Sequence, residues 1–390
     1  MSDTYFEYYA IGTSTAQQVP VSLDELALNI VTDWMPGTPS PLARGFSDLL
    51  AKTLTPITFG SDDYWTVDPY VEGFDNQWRA TTSWVLGVAF CRKVVEMEGY
   101  PWWAPVSAFK KPKLSVAHIN HWQSKLPVSN CEVTRPNANT LFPDYVLATI
   151  SSSSSSGYAI SFAESKGSPL AIRQRNAPPT DWQAQSKNAE FIHLATKYSV
   201  KQHLLIATRV NPRAVKAENR KIIVRAWNSK LPDSQVPFET LRHVVLIHYL
   251  GICVQLGMTA NAHLLGYNES SERMNETGGA EPTTGQISLQ ERQRLINFSR
   301  GELSTQSNLL GNAAFFFPEQ TPPFAVGDRV VQIGLTEGAI DLINWLQGLR
   351  EDSGPELISR VRMEAHRLKE VASGRPNLII RSDGVVGAIL

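Results

Sequence analysis

Cysteine is almost absent from this chain: Cys91, Cys131 and Cys253 are the only three in 390 residues, and they stand far apart. A scattered, odd-numbered set builds neither a disulfide framework nor a paired-cysteine zinc site, and it suits the reducing cytoplasm. Long apolar runs are also missing. The most apolar stretch, Val244 to Met258, contains His248 and falls short of the ~20 residues a membrane helix needs. The opening MSDTYFEYYAIG has no basic segment leading into an apolar one, so no export signal is read. A cytoplasmic protein without a membrane partner is the expectation. No P-loop, dinucleotide fingerprint or nucleophile elbow occurs, which argues against an ATPase, a dehydrogenase and an α/β-hydrolase. His118 and His121 are three apart, but no further histidine or cysteine is near enough to complete a zinc set.

Charge is present in ordinary amount but unevenly placed. Residues 1–100 carry 5 Lys+Arg against 13 Asp+Glu, whereas residues 101–230 carry 18 against 6. A polyanion responds to such local potential and not to the formal net charge of -1. The middle of the chain is therefore the expected meeting place for nucleic acid.

Three regions follow from the patterning. Residues 1–76 read as a helical, acidic N-terminal region: Ser22 and Glu25 form a capping box before LDELALNIVTDW, and SPLARGFSDLLAKTL repeats leucine at helical spacing. FGSDDYWTVDPYVEGFDN reads as a loop, with Asp62 and Asp63 as turn residues. Residues 77–230 read as an α/β core, a mixed central sheet flanked by helices. It starts with a helix from Gln77 to Gly99, whose Trp84, Val88, Cys91 and Val95 are spaced for burial. Strands follow near Tyr100, over 144–150 and 157–166, and at HLLIATRV and KIIVRAW, with one helix predicted for PPTDWQAQSKNAEFIHLATKY. Residues 231–390 read as mainly helical, including a buried helix that carries His243 and His248. They end in a β-hairpin around Ser382-Asp383-Gly384.

The chemistry concentrates at PDYVLATISSSSSSGYAISFAESKG. Strand neighbours two apart share a face, so Glu164 and Lys166 project together while Ser165 faces away. A hairpin through the serines brings Asp144 to Glu164. Two carboxylates with open positions suit Mg²⁺, which keeps several waters and is completed by phosphate oxygens, and a lysine beside them orients water or neutralises phosphate charge. Glu164-Ser165-Lys166 is the only place in the chain where an acid stands two before a lysine, and it lies in an apolar strand where ionic groups are costly to bury. The alternative for the same triple is a strand-end salt bridge with no catalytic role.

Pro143-Asp144 at the head of one strand and Glu164-Ser165-Lys166 on the next resemble the PD-(D/E)XK nuclease superfamily, over roughly residues 77–230. The resemblance implies a restriction-endonuclease-like core and hydrolysis of phosphodiester bonds in DNA. It implies that Asp144 and Glu164 bind Mg²⁺ or Mn²⁺, with Lys166 at the attacking water. A glutamine on the following helix is common in the family, and Gln185 is preferred here over Gln183. The superfamily's frequent use in restriction and anti-phage defence extends that expectation to this chain. Many members carry a glutamate in the preceding helix, whereas ATTSWVLGVAFCRK has no acid. Arg173, Arg175, Lys110 and Lys111 are expected to touch the nucleic acid. Trp102 and Trp103 are candidates for base stacking, with burial as the simpler role. An inactive nuclease fold serving as a nucleic-acid-binding or assembly module is the competing expectation, and a homo-oligomer or partner protein remains open.

Overall fold

Alternating runs of β-branched and aromatic residues pair here over long sequence distances, and the sheet they build draws on both ends of the core region. The computed structural model describes residues 4–33, 49–54, 58–61, 63–109, 131–151, 157–168, 177–200, 202–211, 213, 216–230, 236–265, 289–302, 306–310, 313–318, 323–349 and 354–390. In chain order the strands are β1 (Tyr5–Tyr9), β2 (Gln17–Pro20), β3 (Thr58–Ser61), β4 (Tyr64–Val67), β5 (Trp102–Pro105), β6 (Cys131–Thr134), β7 (Tyr145–Ile150), β8 (Tyr158–Ser168), β9 (Glu190–His193), β10 (Thr196–Tyr198), β11 (Gln202–Arg209), β12 (Ile223–Lys230), β13 (Gln306–Leu310), β14 (Ala313–Phe316), β15 (Phe324–Val326), β16 (Arg329–Thr336), β17 (Leu378–Ile380) and β18 (Val385–Ile389). The helices are α1 (Leu23–Val31), α2 (Asn76–Met97), α3 (Thr180–Ser186), α4 (Phe238–Gln255), α5 (Thr259–Leu264), α6 (Leu289–Glu302), α7 (Glu337–Leu346) and α8 (Gly354–Ala372).

The protein is mixed α/β. Its central sheet has nine strands in the order β3-β4-β1-β12-β11-β8-β7-β5, with β2 added to β1. The pairs β1–β12, β1–β4 and β8–β11 are parallel, and the other pairs are antiparallel. Helices flank it on both faces: α2 packs along β8 and β11 on one, and α3 on the same two strands from the other. A second sheet, β10-β9-β6, sits beside the core, and a third, β13-β14-β16-β18-β17 with β15 on β16, occupies the C-terminal region. One continuous apolar core runs from Phe6 through Phe90, Phe162 and Leu250 to Val385.

Several sequence expectations hold. Ser22 caps α1 by accepting from Glu25 N at 3.0 Å, α2 and α4 lie where predicted, and the final hairpin turns at Gly384 with φ of 79°. Others are corrected. Among the described residues of the first seventy, strands stand beside α1 and a helical segment at 49–54: β1 and β4 belong to the central sheet and β1 runs parallel to β12, so the sheet crosses the boundary drawn at residue 76, while most of SPLARGFSDLLAKTL lies outside the described residues. The aromatic stretch read as a loop contains the β3–β4 hairpin, which turns through Asp63 at φ of 64°. The helix predicted from residue 178 onward stops at Ser186. The chain turns back through Leu194 and Ala195, both at positive φ, and forms β9 and β10, because β6 offers β9 a partner and Phe191 stacks on Phe162 at 5.1 Å. Tertiary pairing here overrides local helix propensity. Trp84 points outward at 42 % exposure, while Val88, Cys91 and Val95 are buried as expected. The C-terminal region carries a sheet of six strands in addition to its helices.

Candidate active site

The hairpin register determines what meets. Tyr145 pairs with Ala163 and Ile150 with Tyr158, so one step beyond Tyr145 sets Asp144 directly across from Glu164. Opposed residues share a face of the sheet, and Lys166, two past Glu164, shares it as well. Pro143 has no N–H to donate, which suits the point where ladder pairing begins. Val106 N donates to Asp144 O at 2.9 Å and ties this tip to the edge strand β5. Behind β8, helix α2 approaches so closely that a Cβ on Gly167 would lie 1.7 Å from Ser83 O. Only glycine admits that contact, and it fixes the strand at the position after Lys166.

The four side chains picked out in the sequence gather at this place. Asp144 Oδ2 accepts from Ser165 N at 2.9 Å, which orients its carboxylate along β8. Lys166 Nζ lies 2.5 Å from Glu164 Oε1 and donates to Gln185 Oε1 at 2.9 Å. Gln185 in turn donates through Nε2 to Phe142 O at 2.9 Å, so α3 clamps the lysine and the segment before Asp144 together. Gln183 has no such part.

Glu164 is the anomaly. Its side chain is 1 % exposed, and the polar neighbour that reaches it is Lys166, whose Nζ lies 2.5 Å from Oε1. Burial pushes its pKa up to about 8, the Asp144 charge pushes the same way, and Lys166 opposes both. Asp144 is raised as well, first by burial, with the Ser165 N–H and the Lys166 charge opposing. Two neighbouring acids that both resist ionisation describe a place short of positive charge. That donor set fits a hard divalent cation completed by water and phosphate oxygens. Among the described residues no group of three or more His, Cys, Asp or Glu side chains is placed to hold a metal ion, and Asp144 with Glu164 is a pair of acids only.

One part of the surroundings escaped the sequence reading. Arg92 of α2, 2 % exposed, pairs with Asp33 beyond α1, and Tyr145 OH donates to Asp33 Oδ2 at 3.1 Å. The guanidinium carbon lies 4.2 Å from the centre of the Trp103 ring and 3.9 Å from that of Tyr145. Its charge favours the ionised form of Asp144, and Asp33 opposes it. The available signal was a lone arginine at the end of the apolar run VLGVAFC.

The remaining candidates fall elsewhere. Lys110, Lys111, Arg173 and Arg175 lie outside the described residues, as do Asp62, His118 and His121. Trp102 and Trp103 are 0 % and 4 % exposed and belong to the core, so they offer no stacking surface. Glu96 binds Lys369 and the Ser382 backbone, and Glu98 accepts from Tyr8 OH, so neither reaches Asp144. His248 is buried against Asp383, and His243 lies at 2.9 Å from Glu239 O on its own helix. No helix among the described residues is long and apolar enough to cross a membrane. A scan against protein-family models, a search of curated proteins and a search of solved structures each found no match for this chain.

Proposed function

We propose that the protein is a divalent-metal-dependent nuclease of the restriction-endonuclease-like type, hydrolysing phosphodiester bonds in DNA. The observation that carries this reading is the register that sets Asp144 against Glu164, with Lys166 on the same face and Gln185 bound to it. Asp144 and Glu164 would hold Mg²⁺ or Mn²⁺, which would lower the pKa of a bound water and offset charge on the phosphate when bound. Lys166 orients the attacking water and balances charge on the phosphoryl oxygens. Gln185 holds the amine in place, and the Ser165 N–H fixes the rotation of the Asp144 carboxylate. In the balanced reaction the water oxygen joins phosphorus, the ester P–O bond breaks, and the leaving oxygen takes up a proton. A role in restriction or anti-phage defence belongs to the same proposal.

Plasmid and linear DNA incubated with Mg²⁺ or Mn²⁺ test it, alongside Asp144→Ala and Lys166→Ala. Cleavage by the native protein that falls ~10²–10⁴-fold in both variants is expected. Equal cleavage by all three, or none by any, would sink the proposal. A second reading is favoured by the 2.5 Å contact of Lys166 with a solvent-excluded Glu164. On that reading the pair is structural, the fold binds nucleic acid without cutting it, and binding survives Lys166→Ala in EDTA.

A further inference from the structure

The segment that leads into Asp144 has no ladder to lie in. Pro143 carries no N–H, and pairing of β7 with β8 starts only at Tyr145, so residues 135–142 must be held by groups outside the sheet. They leave β6 at Thr134 and form an arch on the surface: residues 136–139 and Leu141 are exposed, and the chain turns at Asn137, whose Oδ1 accepts from Asn139 N at 3.0 Å. An arch without support would sample many conformations, and the direction of the residue it delivers would vary with it.

One buried side chain supplies that support. Asn188, 4 % exposed, lies just past the end of α3 and binds the arch with its whole amide. Its Oδ1 accepts from Asn137 N at 2.9 Å, and its Nδ2 donates to Asn137 O at 3.0 Å, Thr140 O at 2.8 Å and Leu141 O at 3.2 Å. Acceptor and donors alike are thus engaged with main-chain groups of a single loop. The place of Asn188 is itself fixed on both sides. Its N–H donates to Gln185 O at 3.1 Å, and Glu190, two residues on, pairs with Thr134 at the foot of the arch. Gln185 takes the next carbonyl in line, Phe142 O, at 2.9 Å, so the oxygens of residues 140, 141 and 142 are all bound from the end of α3. The same Gln185 receives the Lys166 amine. One support therefore grips Lys166 on β8 and the approach to Asp144 on β7, and it sets the spacing between the two strand tips.

We propose that Asn188 is a positioning residue of the candidate site, which by binding the arch keeps the Asp144 carboxylate opposite Glu164. The inference rests on the nuclease reading for what Asp144 does, whereas the hold on Asp144 is measured without cleavage. Ser165 N donates to Asp144 Oδ2, so hydrogen exchange at that one amide reports whether the carboxylate is in place. In Asn188→Ala the Ser165 amide is expected to exchange ~10-fold faster while the amides at the centre of β11 keep their rates. Asn188→Ser, which retains one donor, should give a smaller rise of the same pattern, and Asn139→Ala, whose side chain is exposed, should give none. Cleavage of linear DNA at saturating Mg²⁺ is expected to follow: kcat falls ~10–100-fold in Asn188→Ala with KM within about twofold, because a group displaced by about 1 Å costs up to ~10²-fold. Unchanged Ser165 exchange in both Asn188 variants, a rise no larger than that in β11, or an undiminished kcat in a variant whose Ser165 amide is freed would overturn the proposal. A native protein that shows the exchange pattern yet cleaves nothing with Mg²⁺ or Mn²⁺ would remove the nuclease reading and leave the hold of Asn188 on Asp144 standing.

Discussion

Glu164 and Asp383 are both shut away from solvent, yet their surroundings push them in opposite directions. Burial works to raise each. At Asp383 it is outweighed by Arg381, by His248 Nε2 at 2.9 Å and by the Val385 N–H at 3.1 Å, which hold the carboxyl well below its usual range. At Glu164 burial and the Asp144 charge prevail over one lysine, and the carboxyl rises to about 8. The C-terminal hairpin thus surrounds its acid with several donors, although Arg381 Nε itself meets no acceptor, whereas at the β7–β8 tips Lys166 alone opposes the burial of Glu164 and the Asp144 charge. An acid well supplied with donors holds elements together, and an undersupplied one has capacity left for something else.

Removing Asp383 should produce the largest effect. Asp383→Asn leaves Arg381 charged and buried without its counter-ion, and a loss of about 3–5 kcal/mol in urea unfolding is expected. The next test uses pH. Glu164 keeps its proton in the folded protein between its ordinary 4.5 and about 8, while the unfolded chain releases it, so the group's contribution to stability declines as pH rises through that window. Glu164→Gln removes this decline, and its urea midpoint at pH 9 should exceed that of the native protein, by on the order of 3 kcal/mol. Asp383 acts at the other end: its contribution is present above its ordinary 3.8 and is lost as pH falls below it. Equal pH curves for the native protein and both variants would erase the contrast.

A cation should then distinguish the two places. At ~100 times its Kd, Mg²⁺ is expected to stabilise the native protein by about 2.7 kcal/mol, read as a rise in Tm, and to leave Asp144→Asn and Glu164→Gln unmoved. A rise that persists in both variants would place the ion elsewhere. The smallest effect is reserved for Gln185→Ala, which frees the Lys166 amine from its anchor. Cleavage should fall ~10-fold with little change in the denaturation midpoint, because Lys166 is partly exposed and keeps Glu164.

Why the site was more readable than its setting can be traced to range. Asp144, Glu164 and Lys166 sit on one hairpin, so period-two alternation and a turn were enough to align them, whereas Gln185 was singled out only through the family resemblance. Arg92 and Asp33 meet across 59 residues, and nothing in local patterning pairs them. The same limit explains β1: YFEYY alternates well, but its partner β12 lies more than 200 residues away, and a capping box nearby drew the reading toward helix. Over residues 178–198 the polar run was compatible with either structure, and the choice was made by β6, which pairs with β9.

The parallel alignment of β1 with β12 also bears on how the chain is made. Tyr8 cannot find Val224 until the ribosome has delivered both, which at ~5–20 residues per second leaves the first strand waiting on the order of 10–40 s. Until then β1 has only β2 and, later, β4 to pair with, and its parallel join to β12 waits on a closure of very high contact order. Slow translation or a nascent-chain chaperone that shields Tyr5–Tyr9 is expected to raise the yield of folded protein.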